Sequence, residues 1–324
     1  AALGPLAAGR GVGLSGSDDR FGTPLLAGRR RRMEGTGRVA QAELMSSLET
    51  PSGKGREDEN FPVGSFLIRR ALRPHVHAFY RFAREGDDIA DNPALAAEEK
   101  VRRLARMGAI LDGAPGEDSP AALAMRRSLA ETGLTAQHCH DVLRAFTLDA
   151  TKRRYRDWDD LMEYCRYSAA PVGRQVLDLH GEPRDTWASS DPLCAALQVL
   201  NHLQDCVADY HALDRVYLPE RDLADCGSAF ADLDRPSLGP GLRRVLDRLL
   251  DGTDGLIDQA RLLPRAVASP GLRRETAIIV TLAERLARRL RRGDPLATRV
   301  KLTRGDFAAS LALGLWRGRR WGQG

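Results

Sequence analysis

What the 324-residue chain lacks is informative. Its longest run without a charged side chain, Pro192 to Gln204, spans 13 residues. A membrane-crossing helix needs about 20 apolar residues, so none is expected. No apolar segment with an upstream charge and a cleavage site stands near the start, which argues against secretion. The five cysteines, at 139, 165, 194, 206 and 226, are odd in number and without CxxC spacing. Neither a disulfide framework nor a zinc cage is expected, and a reducing cytoplasm fits. Alternating strand patterns, Asn-Gly hairpins and repeats of fixed period are missing. So are the Glu-x-x-His pair of di-iron bundles, HExxH and the GxSxG elbow.

Hydrophobic residues make up 43% of the chain, enough for a buried core. The net charge of +5 hides three regions. Residues 1–56 carry 9 basic and 5 acidic side chains, 57–284 carry 29 and 37, and 285–324 carry 11 and 2. The body is acidic and the ends are basic, the reverse of a nucleic-acid-binding domain, so no nucleic-acid partner is expected. Clustered carboxylates on such a body suit a divalent metal.

Residues 1–56, rich in Gly, Arg and Ser, read as a disordered tail. Met45 inside this tail is the expected translation start, with the preceding residues a start-site artefact. The Gly11–Gly16 run matches GxGxxG, but no strand precedes it and no helix follows, so it is not a dinucleotide site. Arg29–Arg32 reads as a solvated charge block.

The remainder reads as helix. Val76, Phe79, Phe82, Ala83, Gly86 and Ile89 recur at helical spacing, and Asn92-Pro93 stops the run. Ser119-Pro120 is a cap followed by proline at the first helical position. Helical periodicity also marks Leu134–Asp149, Asp157–Ala170, Asp191–Tyr210, Leu238–Leu263 and Leu272–Leu290. The expectation is one all-α domain over about 57–307, its helices around a central cavity, followed by a separate apolar and basic segment, 308–324. His138-Cys139-His140-Asp141 superficially resembles a metal cluster, but helical neighbours point apart and cannot share one ion.

Two acidic rows carry the chemistry. Asp87 and Asp91 are i, i+4 neighbours at the end of a strongly apolar helix. More than a hundred residues later, Asn201, Asp205 and Asp209 step along one face among Leu197, Leu200, Leu203 and Val207. Either row alone is better explained as a solvated helix face. Together they interrupt two segments otherwise built for burial, and buried carboxylates need a partner. Few basic residues lie beside them in sequence, which points to Mg²⁺, a cation that joins carboxylates to a substrate phosphate. Such a pair suits loss of diphosphate into an apolar helical chamber. Spacing alone does not separate terpene cyclases, prenyl transferases and head-to-head prenyl synthases.

At this point the chain resembles the squalene/phytoene synthase family over about Asp58 to Phe307. The resemblance rests on Phe79–Asp91, Tyr164–Gly173, Asn201–Asp209 and Arg215–Pro219. Glu59–Val63, Tyr155–Trp158 and Asp294–Leu296 are similar to the hydroxysqualene-forming branch of bacterial hopanoid synthesis. The resemblance implies an all-α isoprenoid-synthase fold and a reaction of presqualene diphosphate with water. It implies that Asp87, Asp91, Asn201, Asp205 and Asp209 hold Mg²⁺ and that Arg84 and Arg215 bind phosphate oxygens. It also implies that Tyr80, Tyr164 and Tyr217 stand around the diphosphate and the cation; the resemblance names no residue for the captured water, and Tyr164 is the expected neighbour.

Two departures stand out: Ala90 replaces an acidic residue, and Asp58-Glu59-Asn60 replaces a more basic approach. The first leaves the first motif one ligand fewer, and the second suits an enzyme that receives preformed presqualene diphosphate. The open alternatives are a presqualene diphosphate or squalene synthase condensing two farnesyl diphosphates, a class I terpene cyclase, and a helical RNA- or membrane-binding module with degenerate acidic motifs. Phe307–Trp316, followed by Arg317, Arg319 and Arg320, suits either a last helix capping the bundle or contact with anionic lipid. The expected location is cytoplasmic, peripheral at the inner face of the membrane, beside neighbouring hopanoid-pathway enzymes.

Overall fold

The computed structural model describes residues 68–320, with side chains through Trp316. The tail 1–56 with its Gly11–Gly16 and Arg29–Arg32 runs and Met45, the Asp58–Val63 approach, and the side chains of Arg317, Arg319 and Arg320 lie outside the described residues.

Among the described residues the fold is built from α-helices: α1 (Arg73–Asp91), α2 (Ala97–Leu111), α3 (Pro120–Thr132), α4 (Gln137–Thr151), α5 (Trp158–Ser168) and α6 (Ala170–Leu179), then α7 (Trp187–Leu213), α8 (Glu220–Asp225), α9 (Pro240–Ala260), α10 (Leu263–Ala266), α11 (Pro270–Arg292) and α12 (Arg304–Arg320). The only pairing of extended backbone among these residues is an isolated bridge between Arg154 and Val216.

α1 buries Val76, Phe79, Phe82 and Gly86 of the stripe its spacing predicts, with Ala90 in addition, while Ala83 and Ile89 are half-buried. It stops at Asn92, because a residue before proline is pushed out of helical geometry. Gly86 is required there: a Cβ would stand 2.6 Å from the Phe146 ring of α4. α3 starts as expected, with Ser119 Oγ accepting the Ala122 N–H at 3.1 Å. α1–α4 share one apolar cluster that includes Phe82, Leu104, Met107, Ile110, Met125 and Val142. A larger cluster joins α5–α7 to α9 and α11 through Leu161, Leu200, Leu203, Leu246, Leu250 and Leu286.

Three boundaries differ from expectation. The segment Asp157–Ala170 is α5, capped by Asp157 and ending at Ser168, and an unexpected helix, α6, begins at Ala170, because Pro171 has no N–H to continue the first helix but fits the start of a new one. α7 starts at Trp187, earlier than Asp191, and carries Pro192 within its early turns, where only one intrahelical bond is lost. The division at 307 falls inside α12. That helix begins with a reciprocal cap, Thr303 N–H to Asp306 at 2.8 Å and Asp306 N–H to Thr303 at 3.2 Å. Arg289 of α11 holds Asp306 at 2.6 Å, and Ser310 is buried. At Gly314 a Cβ would stand 2.8 Å from the Ile278 backbone, so α12 lies directly on α11. The segment therefore caps the bundle. No helix among the described residues is long and apolar enough to cross a membrane.

Candidate active site

The loop after α4 lies beside the chain that follows α7. Val216 N–H donates to Arg153 O at 3.0 Å and Glu220 N–H to Tyr155 O at 2.9 Å. α7 ends on Asp214, whose φ of 50° lies in the left-handed region that Asp tolerates. Asp214 is held by Arg154 at 2.6 Å. This sharp exit turns Arg215 back under the helix ends and sets Tyr217 against Tyr155, ring centroids 5.3 Å apart.

Arg215 is 5% exposed. Its Nη1 lies 2.8 Å from Asp91 and 4.0 Å from Asp149. Its Nε donates to Asp149 O at 3.0 Å and its Nη2 to Ala90 O at 3.2 Å. Burial works against its charge, but Asp149, Tyr217 and Asp91 outweigh burial and hold its pKa above the ordinary value. Lys100 Nζ also donates to Ala90 O, at 2.8 Å. Where an acidic residue is expected from the resemblance, the buried Ala90 thus presents a carbonyl to two cations.

Asp149 is 6% exposed. Tyr164 OH donates to Oδ2 at 3.0 Å and Tyr217 OH to Oδ1 at 3.2 Å. Burial pushes its carboxyl up to about 7, against the pull of Arg215 and the Tyr164 hydrogen bond. Burial, and then Asp149, push both phenols well above the ordinary tyrosine range. Tyr155, Tyr164 and Tyr217 pack as a trio, and His202 of α7 stacks on Tyr217 with centroids 3.4 Å apart. Burial lowers the His202 pKa despite Asp209, 3.9 Å from its Nδ1.

The structure brings Asp91, Tyr164, Arg215 and Tyr217 together around Asp149. Arg84 stands on α1, bonded to Asp87 at 2.9 Å and to Asp88 at 2.9 Å. Asp205 is gripped by Arg299, from the segment between α11 and α12, at 2.6 and 3.0 Å. Tyr80 and Asn201 are half-buried on α1 and α7. The expectation that few basic residues adjoin the acidic rows is corrected here: Arg84, Arg215, Arg299 and His202 each face one of these aspartates. Arg215 and Arg299 reach them only through tertiary folding. Among the described residues no three acidic, imidazole or thiol side chains converge at metal distance. The oxygen-only donors Asp87, Asp91, Asn201, Asp205 and Asp209 nevertheless have the chemistry a hard divalent cation takes. His138 and His140, as expected, diverge, to Asp178 at 3.0 Å and Asp112 at 2.8 Å.

Sequence reasoning passed over Asp149, His202 and Arg299. Asp149 had a readable signal: on α4 it continues the buried stripe of His138, Val142 and Ala145, an acid at a core position. Arg299 had none, since it reaches Asp205 from an irregular segment.

The squalene/phytoene synthase family model matches residues 54–306. This chain belongs to that family. A protein named hydroxysqualene synthase from Rhodopseudomonas palustris is 44% identical over 264 residues, covering 82% of this chain and 90% of its own length. Another of that name from Zymomonas mobilis is 43% identical over 251 residues, 77% of this chain and 84% of its own. The crystal structure of squalene synthase HpnC from Alicyclobacillus acidocaldarius aligns with a TM-score of 0.63 at 32% identity, over 78% of this chain and 92% of that one. A dehydrosqualene synthase solved with a ligand aligns with a TM-score of 0.67 over 78% of this chain and 89% of its own, and at 21% identity it speaks for the fold alone. The chain is an isoprenoid enzyme with the all-α fold of squalene and dehydrosqualene synthases.

Arg215→Ala leaves Asp91 and Asp149 without their shared cation. It is expected to cost about 3–5 kcal/mol, the penalty of uncompensated buried charge, measured as a lower urea midpoint; a wild-type midpoint would contradict the network.

Proposed function

We propose that this squalene/phytoene synthase family member converts presqualene diphosphate and water into hydroxysqualene and diphosphate, with Mg²⁺ bound. One observation carries the reading: three proteins named hydroxysqualene synthase are 42–44% identical to the chain over 76–82% of its length. The chemistry of the site supports it. Asp87, Asp91, Asn201, Asp205 and Asp209 are the residues that would hold Mg²⁺, which when bound neutralises charge on the departing diphosphate. Arg84 and Arg215 exchange aspartate for phosphate oxygens, which match the guanidinium fork. The carbon–oxygen bond breaks with its electron pair going to diphosphate. The cyclopropylcarbinyl cation rearranges and opens to an allylic cation. In this reading Tyr164 and Tyr217 stand beside the cation, and the apolar surroundings limit access of bulk water. Water supplies the pair for the new carbon–oxygen bond and loses one proton. No oxidant or reductant enters. The squalene synthase HpnC relationship favours a second reading, condensation of two farnesyl diphosphates, at its lower identity of 32%.

The partner surface of the proposal is α12. It covers α11 with Asp306, Ser310 and Gly314, while Phe307, Leu311 and Trp316 are 37%, 38% and 51% exposed. The basic C-terminal segment, 11 basic against 2 acidic residues over 285–324, matches an anionic lipid surface. Such contact would deliver a water-insoluble product to the bilayer, at the inner face where neighbouring hopanoid enzymes would act.

Incubation with presqualene diphosphate, Mg²⁺ and ¹⁸O-water without nicotinamide is expected to yield labelled hydroxysqualene by mass spectrometry. No turnover, with farnesyl diphosphate converted to presqualene diphosphate instead, would move the enzyme one step earlier. Asp87→Ala and Asp205→Ala should each lower turnover about 10²-fold or more with unchanged circular dichroism; wild-type rates would sink the metal assignment. Sedimentation with phosphatidylglycerol vesicles should fall in Phe307→Ser/Leu311→Ser/Trp316→Ser, and equal binding would remove α12 from the lipid contact.

A further inference from the structure

The proton lost by the captured water needs an acceptor, and no aspartate of the two acidic rows is suited to take it while holding a cation. We propose that Asp149 accepts this proton, reached through the hydroxyl of Tyr164 or Tyr217. The inference rests on the hydroxysqualene-forming reading above.

The geometry is that of a relay. Asp149 lies outside both acidic rows, and Arg215 stands between it and Asp91, 2.8 Å from Asp91 and 4.0 Å from Asp149. Each of its carboxylate oxygens accepts a hydrogen bond from a phenol, from Tyr164 at 3.0 Å and from Tyr217 at 3.2 Å. A phenol that donates still has lone pairs with which to accept from a water. As water bonds to the cation, one of its O–H bonds breaks and the proton passes to the phenol oxygen. The phenol's own proton passes to Asp149. The tyrosine is restored, Asp149 ends neutral, and no electrons are transferred to or from the enzyme.

The surroundings fit an acceptor that reloads near neutrality. Asp149 faces Asp87 and Asp91 from α1, Tyr164 from α5, and Arg215 and Tyr217 from the chain after α7; Tyr155 and the His202 of α7 lie just behind the phenols. With its carboxyl pushed up to about 7 by burial, Asp149 can both take up and release a proton. The two phenols, pushed far higher, pass protons on and do not store charge.

The test reads product partition with presqualene diphosphate and Mg²⁺: hydroxysqualene formed per inorganic diphosphate released. In Asp149→Asn this ratio is expected to fall about tenfold or more, with hydrocarbons formed by proton loss from carbon taking the difference, and Asp149→Glu is expected to recover it in part. The wild-type ratio should fall in deuterium oxide while that of Asp149→Asn does not. If Asp149→Asn does not fold by thermal melting, Tyr164→Phe/Tyr217→Phe carries the same expectation. An unchanged ratio in folded variants, even with slower release, would overturn the relay and point to the departed diphosphate as the base. A wild-type enzyme that forms no hydroxysqualene would instead overturn the reaction on which the relay rests.

Discussion

A buried guanidinium must be matched by anions, and Arg215 finds its matches on different helices. Asp91 closes α1, Asp149 closes α4, and Arg215 itself follows the sharp end of α7. One cation thus pins three helix ends that are far apart in sequence. Its guanidinium also bonds the backbone carbonyls of Ala90 and Asp149, so the helix termini are fixed together with the side chains. Taking such charges out of water is costly, and a well-packed apolar cluster would stabilise the fold as well. Stability is supplied by the leucine-rich contacts of α7, α9 and α11, which suits the polar network to the chemistry proposed above.

The same constraint orders the aromatic side chains. Because Arg215 is drawn inward, Tyr217 two residues later is carried against Tyr155 and His202, and its hydroxyl meets Asp149 opposite that of Tyr164. The bridge of Val216 to the loop after α4 holds this arrangement from behind. Phenols, an imidazole and carboxylates of two kinds, paired and phenol-bound, are thereby gathered beside one another. In the proposed reaction that environment would separate diphosphate from the carbocation and take up a single proton.

Much of the architecture was legible locally. The stripe of α1, the Ser119 cap of α3 and the divergence of His138 from His140 follow from helical geometry and one hydrogen bond each. The stop just before Pro171 was readable as well, but the helix that follows it, α6, carried no period that was recognised. Asp149 was visible as an acid in a buried stripe, although nothing nearby named its partners, which come from 15, 66 and 68 residues away. Arg299 could not be read at all, because an irregular segment has no period from which to infer a direction.

By itself the sequence determined which residues carry charge, where most of the long helices run and which acids share a face, since those depend on neighbours three or four positions apart. That was enough to identify the two acidic rows and the family they resemble. Only the tertiary structure decided which cation meets which carboxylate, and that α12 lies on α11 across a proposed domain boundary. Those pairings depend on how helices pack, and packing brings together side chains whose separation along the chain places no local mark on either.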